Sequence, residues 1–419
     1  MESTLAGFLK TLVGPALMPR LWGDTLQTDQ NDPVRLAHTL LGAKGEVSGA
    51  AIADRVLHLV EALDDTGIAL FFADLRDGFE IDRDAVLDAA QRLRSDDPGA
   101  LDRFQRVSEP PRQELFRRLN AAPNGTARLV RIRARLLRAL RSDPTLAIID
   151  ADMRHLLRSW FNRGFLVPRR IGWDSPASLL EKIIAYEAVH AIDSWDDLRR
   201  RLQPPDRRCY AFFHPAMPDD PLIFVEVALT RGLAASIQTL LDWPRTPLPE
   251  TEADTANFYS ISNCQDGLAG ISFGALLIKQ VAADLQRDLP NLRTFTTLSP
   301  IPGLVRWLQE TGSLPEAQDE AAALPALVAA YLVEAKDPQG RPVDPVARFH
   351  LGNGAELHRI NLNGDTSATG RARSLGAMVN YRYELDHVES RHEAFAATGD
   401  IAVARPVRAL LARARQRLK

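Results

Sequence analysis

The chain is expected to be an α+β protein in two parts, an all-α helical bundle over residues 1–160 followed by an α/β part over residues 161–419. Up to about residue 160, apolar residues recur three and four apart and strand signals are almost absent. Beyond Arg208, short runs of β-branched and aromatic residues alternate with turns. Between 257 and 298, a strand, a small-residue loop, an amphipathic helix and a second strand follow one another, the signature of a β-α-β crossover.

In the first part, Asp54–Leu63, Ile81–Leu93, Arg112–Asn120 and Thr126–Leu140 carry the helical spacing, with Pro123-Asn124-Gly125 as punctuation between the last two. Bundles of this kind often pack against copies of themselves, which predicts a homo-oligomer, dimer or tetramer, through this domain. Basic clusters at Arg131–Arg141 and at Arg199–Arg201 with Arg207 and Arg208 read as solvated faces.

The second part opens with a helix that Ser175 would cap, with Pro176 at its first position. Ser194-Trp195-Asp196-Asp197 resembles a capping box. Residues 209–214 and 222–229 flank a Pro/Asp turn and read as a hairpin, and 257–262 as a third strand. A helix over 271–289 places Ile271, Ile278, Val281, Leu285 and Leu289 on one face and stops at Pro290. Residues 292–298 form a fourth strand, and Val379, Tyr381, Tyr383 and Leu385 alternate on a later one. The Ala- and Glu-rich stretch 311–340 reads as a helical insertion on the surface.

Composition narrows the function. Hydrophobic residues make up 45% and charged residues 25% of 419, with a net charge of −3, so no global electrostatic footprint for nucleic acid exists. No apolar run reaches the ~18 residues of a membrane span. Two cysteines, Cys209 and Cys264, exclude a disulfide framework or a cysteine-rich zinc site. With no signal-peptide or peroxisomal pattern at the termini, a cytoplasmic setting is expected.

The chemistry concentrates in 257–303. A right-handed crossover makes its two strands parallel, so loop 263–270 and Ser299 both leave carboxyl ends, the edge where α/β sheets gather ligands. The glycines of the loop would let backbone N–H groups approach a diphosphate, helped by a helix N-terminus near Ile271. An ordinary tight turn explains the same glycines. Ser299-Pro300-Ile301-Pro302-Gly303 is a stiff, donor-poor loop that suits a positioned hydroxyl, or a plain strand-ending turn. His350 precedes an Asn-Gly turn, where local geometry would hold its side chain. His350 and His358 lack a third ligand at useful spacing, so no metal is expected, and no organic-cofactor motif occurs.

These residues resemble one family. Thr296-Thr297-Leu298-Ser299-Pro300-Ile301-Pro302-Gly303 is similar to the active-site serine motif of malonyl-CoA decarboxylases, and Phe349-His350-Leu351-Gly352-Asn353-Gly354-Ala355 to their catalytic-histidine motif. Phe258–Ser262, Gly267–Gly270, Arg207–Phe213 and Asn380–Tyr383 match as well, and the likeness runs from about Trp160 to the C-terminus and more weakly through the helical part. The resemblance implies a GNAT-acetyltransferase-like α/β catalytic domain, with CoA in the gap between two splayed parallel strands. It implies Ser299 and His350 as catalytic residues. As substrate-binding residues it implies Ser260, Gly267, Ala269, Gly270, Ile271, Ser272, Phe273, Gly274, Ala275 and Tyr383. Ser272 stands where animal members carry a glutamate.

The expected reaction is decarboxylation of malonyl-CoA to acetyl-CoA and CO2 without a cofactor. The thioester carbonyl would accept the charge, hydrogen bonds would hold the enolate, and an imidazolium at His350 would protonate carbon. An acyl-CoA-dependent N-acyltransferase, a non-catalytic CoA-binding scaffold and a serine acyl hydrolase are the competing readings.

Overall fold

The computed structural model describes residues 31–94, 98–271, 277–316 and 319–417. They form two compact units, one made of the residues up to Trp160 with Gln265–Ile271, the other of Phe161–Cys264 and the residues from 272 onward.

The first unit is helical: α1 (Pro33–Gly42), α2 (Glu46–Ala62), α3 (Asp65–Gly78), α4 (Arg83–Arg92), α5 (Ala100–Ser108), α6 (Pro111–Asn120), α7 (Gly125–Ala139) and α8 (Ala147–Trp160). Each helical segment read from the spacing is present. Asp32, Asp64 and Asp82 cap α1, α3 and α4 by accepting backbone N–H bonds. Leu40, Val56, Leu57, Phe72, Leu115, Leu136 and Leu157 are buried together in the apolar interior. Of the basic cluster at Arg131–Arg141, Arg131, Arg138 and Arg141 are exposed as expected, but Arg133 and Arg135 are drawn inward. Arg133 is buried on Asp150 at 2.8 Å, Arg128 bridges Asp54 and Glu61, and Arg135 donates to the carbonyls of Val60, Leu63 and Asp64. A helical period cannot distinguish arginines in water from arginines that tie one helix to the next.

Segment Gln265–Ile271 packs on α7. Arg133 Nη1 donates to the carbonyls of Gly267 (2.6 Å) and Ala269 (3.0 Å), and a Cβ on Gly267 would lie 1.8 Å from the Val130 carbonyl oxygen. Gly267 is therefore dictated by close backbone approach.

The second unit is built on an eight-stranded mixed sheet: β1 (Val167–Ile171), β2 (Arg207–Phe213), β3 (Ile223–Thr230), β4 (Thr255–Asn263), β5 (Thr294–Thr297), β6 (Ser299–Pro300), β7 (Glu356–Asn361) and β8 (Met378–Arg382). The order is β1-β2-β3-β4-β5-β8-β6, with β7 also on β8. The β2–β3 hairpin is antiparallel and β4–β5 is parallel, as the crossover required. Helices α9 (Ala177–Tyr186) and α10 (Trp195–Leu202) cover one face, where Leu180, Ile183, Leu198 and Leu202 meet Cys209, Phe213 and Phe224. Here the second basic cluster divides, with Arg199 exposed and Arg200 half-buried while Arg201, Arg207 and Arg208 are buried. The N-cap of α9 falls on Pro176, and the Ser175 hydroxyl instead accepts from Gly172 N–H. Ser194 does cap α10, accepting from Asp197 N–H at 3.1 Å.

Further along come α11 (Ile237–Leu241), α12 (Leu277–Asp288) in the crossover, α13 (Leu304–Glu310), α14 (Glu320–Val333), α15 (Pro345–Gly352), α16 (Ala368–Ser374), α17 (Val388–Thr398) and α18 (Arg405–Arg417). The expected start of the crossover helix at 271 falls partly outside the described residues. Helix α14 corrects the surface reading of 311–340. Every residue from Ala326 to Leu332 is buried, and Ala326 and Ala330 pack on Ala414 of α18. A helix apolar on all sides belongs in a core.

Among the described residues, no helix is long and apolar enough to cross a membrane.

Candidate active site

Strands β4 and β5 pair only from Thr255–Thr294 to Phe258–Thr297, after which Leu298 N–H donates a last bond to Phe258 O. Strand β4 runs on to Asn263, while Ser299 and Pro300 turn away to pair with Val379 and Met378 of β8. Local sequence causes the split. Pro300 and Pro302 have no N–H with which to continue the ladder. On the other side, a bulge where Val227 faces Phe258 and Glu226 faces Ser260 leaves Tyr259 as the extra residue. The result is a V-shaped opening between parallel strands, the arrangement implied by the acetyltransferase-like resemblance.

Ser299 stands at the start of this divergence, 5% exposed. Its Oγ lies 3.0 Å from His350 Nε2 and donates to Thr297 Oγ1 at 2.8 Å. Thr297 Oγ1 also accepts from Tyr381 N–H at 3.1 Å. On the other side of the ring, His350 Nδ1 is 2.9 Å from the Tyr383 hydroxyl. The structure thus brings Ser299, His350 and Tyr383 into one hydrogen-bonded chain. Burial pushes the Tyr383 phenol well above its ordinary value, so it keeps its proton. One proton per bond is satisfied when Tyr383 O–H donates to Nδ1, Nε2–H donates to Ser299 Oγ, and Ser299 O–H donates to Thr297.

His350 sits in the last turn of the short helix α15, not in the Asn-Gly turn that follows it. Tyr381 stacks on its ring at 4.6 Å, and Phe349 and Tyr383 approach edge-on at 5.1 and 6.1 Å. This aromatic enclosure removes water, and burial pushes the imidazole down from 6.5 to about 3. The expected imidazolium is therefore corrected, because His350 of the free protein is neutral at neutral pH.

Ser260 lies elsewhere, on the sheet face shared with Glu226. Its hydroxyl is 2.8 and 2.7 Å from the two carboxylate oxygens of Glu187, and Ser262 reaches the same group at 3.4 Å. Glu226, fully buried and bonded to Arg201 at 3.3 Å, is pushed up to about 8, first by burial and then by Glu187. Glu187 carried no sequence signal, standing alone after α9. Thr297 was inside the serine motif but is distinguished only by its place in the hydrogen-bond chain.

Gly267, Ala269, Gly270 and Ile271 belong to the helical unit, and the N–H groups of Ala269 and Ile271 bond Asp266 O and Leu268 O within their own turn. Ser272, Phe273, Gly274 and Ala275 lie outside the described residues. His358 is a β7 residue beside Glu356 at 3.1 Å. No cluster of three metal-ligating side chains occurs among the described residues.

Residues 79–161 match the malonyl-CoA decarboxylase N-terminal domain, and residues 164–322 and 313–419 match the malonyl-CoA decarboxylase C-terminal domain. The chain is 36% identical to the mitochondrial malonyl-CoA decarboxylase of Anser anser anser over 388 residues, 80% of this chain and 76% of that protein. It is similar to the crystal structure of malonyl-CoA decarboxylase from Rhodopseudomonas palustris, with a TM-score of 0.86, 48% identity and coverage of 91% of this chain and 99% of that one. The Agrobacterium vitis structure of the same name aligns with a TM-score of 0.85 at 47% identity, covering 90% and 99%. With both family domains matched and relatives aligned along most of its length, this chain belongs to the malonyl-CoA decarboxylase family.

Proposed function

We infer that this chain decarboxylates malonyl-CoA to acetyl-CoA and CO2, with Ser299 and His350 as its catalytic pair. Family membership supports the reaction, and the Tyr383–His350–Ser299 chain at the mouth of the split strands carries the assignment of the pair.

Loss of CO2 leaves an enolate on the thioester. A site nearly closed to water strengthens each hydrogen bond aimed at that charge. The Nε2–H of His350 and the Ser299 hydroxyl, bonded in the free protein to Ser299 and Thr297, are the donors that would turn to it. The α-carbon then needs a proton, which His350 supplies after taking one up with the substrate. A malonyl carboxylate beside the ring favours the imidazolium that burial alone disfavours. Tyr383 holds Nδ1 and so fixes which ring nitrogen faces Ser299. Residues Gly267, Ala269, Gly270 and Ile271, continuing through Ser272–Ala275, are proposed to hold the CoA pantetheine and diphosphate. Their position after the carboxyl end of β4 supports this. Ser260 is proposed to orient substrate through its bond to Glu187.

We also infer self-association through the helical unit. Helix α4 buries only Ala89 and α5 only Ala100, leaving Leu87 and Leu101 61% and 59% exposed. The unpaired thiols Cys209 and Cys264 suit a reducing, cytoplasmic setting.

The test is product identification after incubation with malonyl-CoA, before and after EDTA treatment. Equimolar acetyl-CoA and CO2 in both samples are expected. Free CoA and malonate would indicate a hydrolase, and no turnover would indicate a binding protein. Activity lost to EDTA and restored by a metal would overturn the cofactor-free reaction.

A further inference from the structure

We infer that Asp344 is a positioning residue for decarboxylation, a single buried carboxylate that fixes the loop of Ser299 and the helix of His350 against each other. The inference rests on the reading of Ser299 and His350 given above.

Asp344 is 0% exposed. Its Oδ1 accepts from Val346 N–H at 3.0 Å and Ala347 N–H at 2.8 Å, capping α15, the short helix whose last turn presents His350. Its other oxygen, Oδ2, accepts from the Tyr331 hydroxyl of α14 at 3.3 Å. Gly303, at the end of the Ser299-Pro300-Ile301-Pro302 stretch, lies against the same Tyr331 hydroxyl, and its backbone N–H faces the carboxylate and eases its charge. The approach at Gly303 is close enough to exclude any side chain, because a Cβ there would lie 2.2 Å from the Tyr331 hydroxyl oxygen. A ring of contacts closes: Ser299, the two-proline loop, Gly303, Asp344, α15, His350, and back to Ser299 across 3.0 Å.

Helix capping alone does not call for this arrangement. Ser, Thr or Asn caps a helix equally well. Asp344 has no cationic partner among the described residues, so a charge-bearing group is kept in the interior by neutral donors only. Such burial is costly for a carboxylate and is understandable where both oxygens are needed at fixed places. The prolines stiffen one arm and the short helix the other, so a shift at the shared carboxylate is transmitted to the gap between Ser299 and His350.

Asp344→Asn separates the cap from the tie. The amide oxygen can still cap α15, but the NH2 that replaces Oδ2 cannot accept from the Tyr331 hydroxyl that packs on Gly303. The expected result is a folded enzyme by circular dichroism whose kcat falls ~10-fold or more, with KM within about twofold, because misplacement by an ångström can cost ~10² in rate. In a His350→Ala background the same change should alter the residual rate less than about twofold, since nothing is left to position. Tyr331→Phe removes one donor to the same oxygen and should give a smaller loss of kcat, and it carries the test should Asp344→Asn not fold. Wild-type kcat in the Asp344→Asn protein, or an equal loss with and without His350, would overturn the inference. A fully active His350→Ala enzyme would overturn the underlying site as well, and is recognisable because it needs no change at Asp344.

Discussion

His350 is enclosed by three aromatic rings, hydrogen-bonded at both nitrogens and held at about 3 by burial. Two outcomes follow from this enclosure. A histidine lowered in the folded state takes up its proton first in the unfolded chain. Its contribution to stability is therefore complete above about pH 6.5 and is lost as pH falls from there toward 3. Chemical unfolding at pH 7 and pH 4.5 should show a smaller acid loss in His350→Ala than in wild type, with part remaining because His190 is lowered to about 4, also chiefly by burial. An unchanged pH slope would contradict a neutral buried imidazole. The second outcome concerns binding. If His350 gains its proton with the substrate, calorimetry with a non-decarboxylating malonyl-CoA analogue, in buffers of different ionisation enthalpy, should show net proton uptake that His350→Ala abolishes. Ser299, His350 and Tyr383 were legible because their motifs are long and ordered. The protonation state of His350 was not, since a motif says nothing about what stacks on a ring. Glu187 was equally hidden, because only folding brings it to Ser260 and Ser262.

Elements with strong local signals were read correctly. The helical spacing of the first part, the hairpin of β2 and β3 and the β4-α12-β5 crossover follow from periodicity and turn chemistry that act within a few residues. Elements whose state depends on what covers them were not. Arg133 and Arg135 of α7 and the Ala-rich helix α14 looked solvent-facing, yet each is tied into an interior by partners distant in sequence. Gly267 is the sharpest case. Its lack of a side chain suggested ligand access, whereas contact with Val130 of α7 already requires it. Gly267→Ala should therefore destabilise the folded chain by ~1–3 kcal/mol, the scale of overpacking, whatever its effect on CoA binding. Thermal unfolding measures this directly, and an unchanged midpoint would show that segment Gln265–Ile271 moves off α7 without cost.

For the whole molecule, two compact units carry two kinds of surface. In the helical unit, Leu87 and Leu101 stand exposed to water. Leu87→Glu with Leu101→Glu should convert a sedimenting oligomer to a smaller species at micromolar concentration without altering helical content. A wild-type chain that sediments as a monomer would remove self-association. In the sheet unit, the central proposal is that Ser299 and His350 act as one device. The measurement that tests it most directly is kcat for malonyl-CoA decarboxylation by wild type, Ser299→Ala, His350→Ala and the double variant, each checked for folding. Each single change should lower kcat by ~10²–10³ with little change in KM, and the double variant should lose far less than the product of the two. A well-folded His350→Ala enzyme within about threefold of wild type would contradict the claim, because groups that move protons in a transition state contribute ~10²–10⁴.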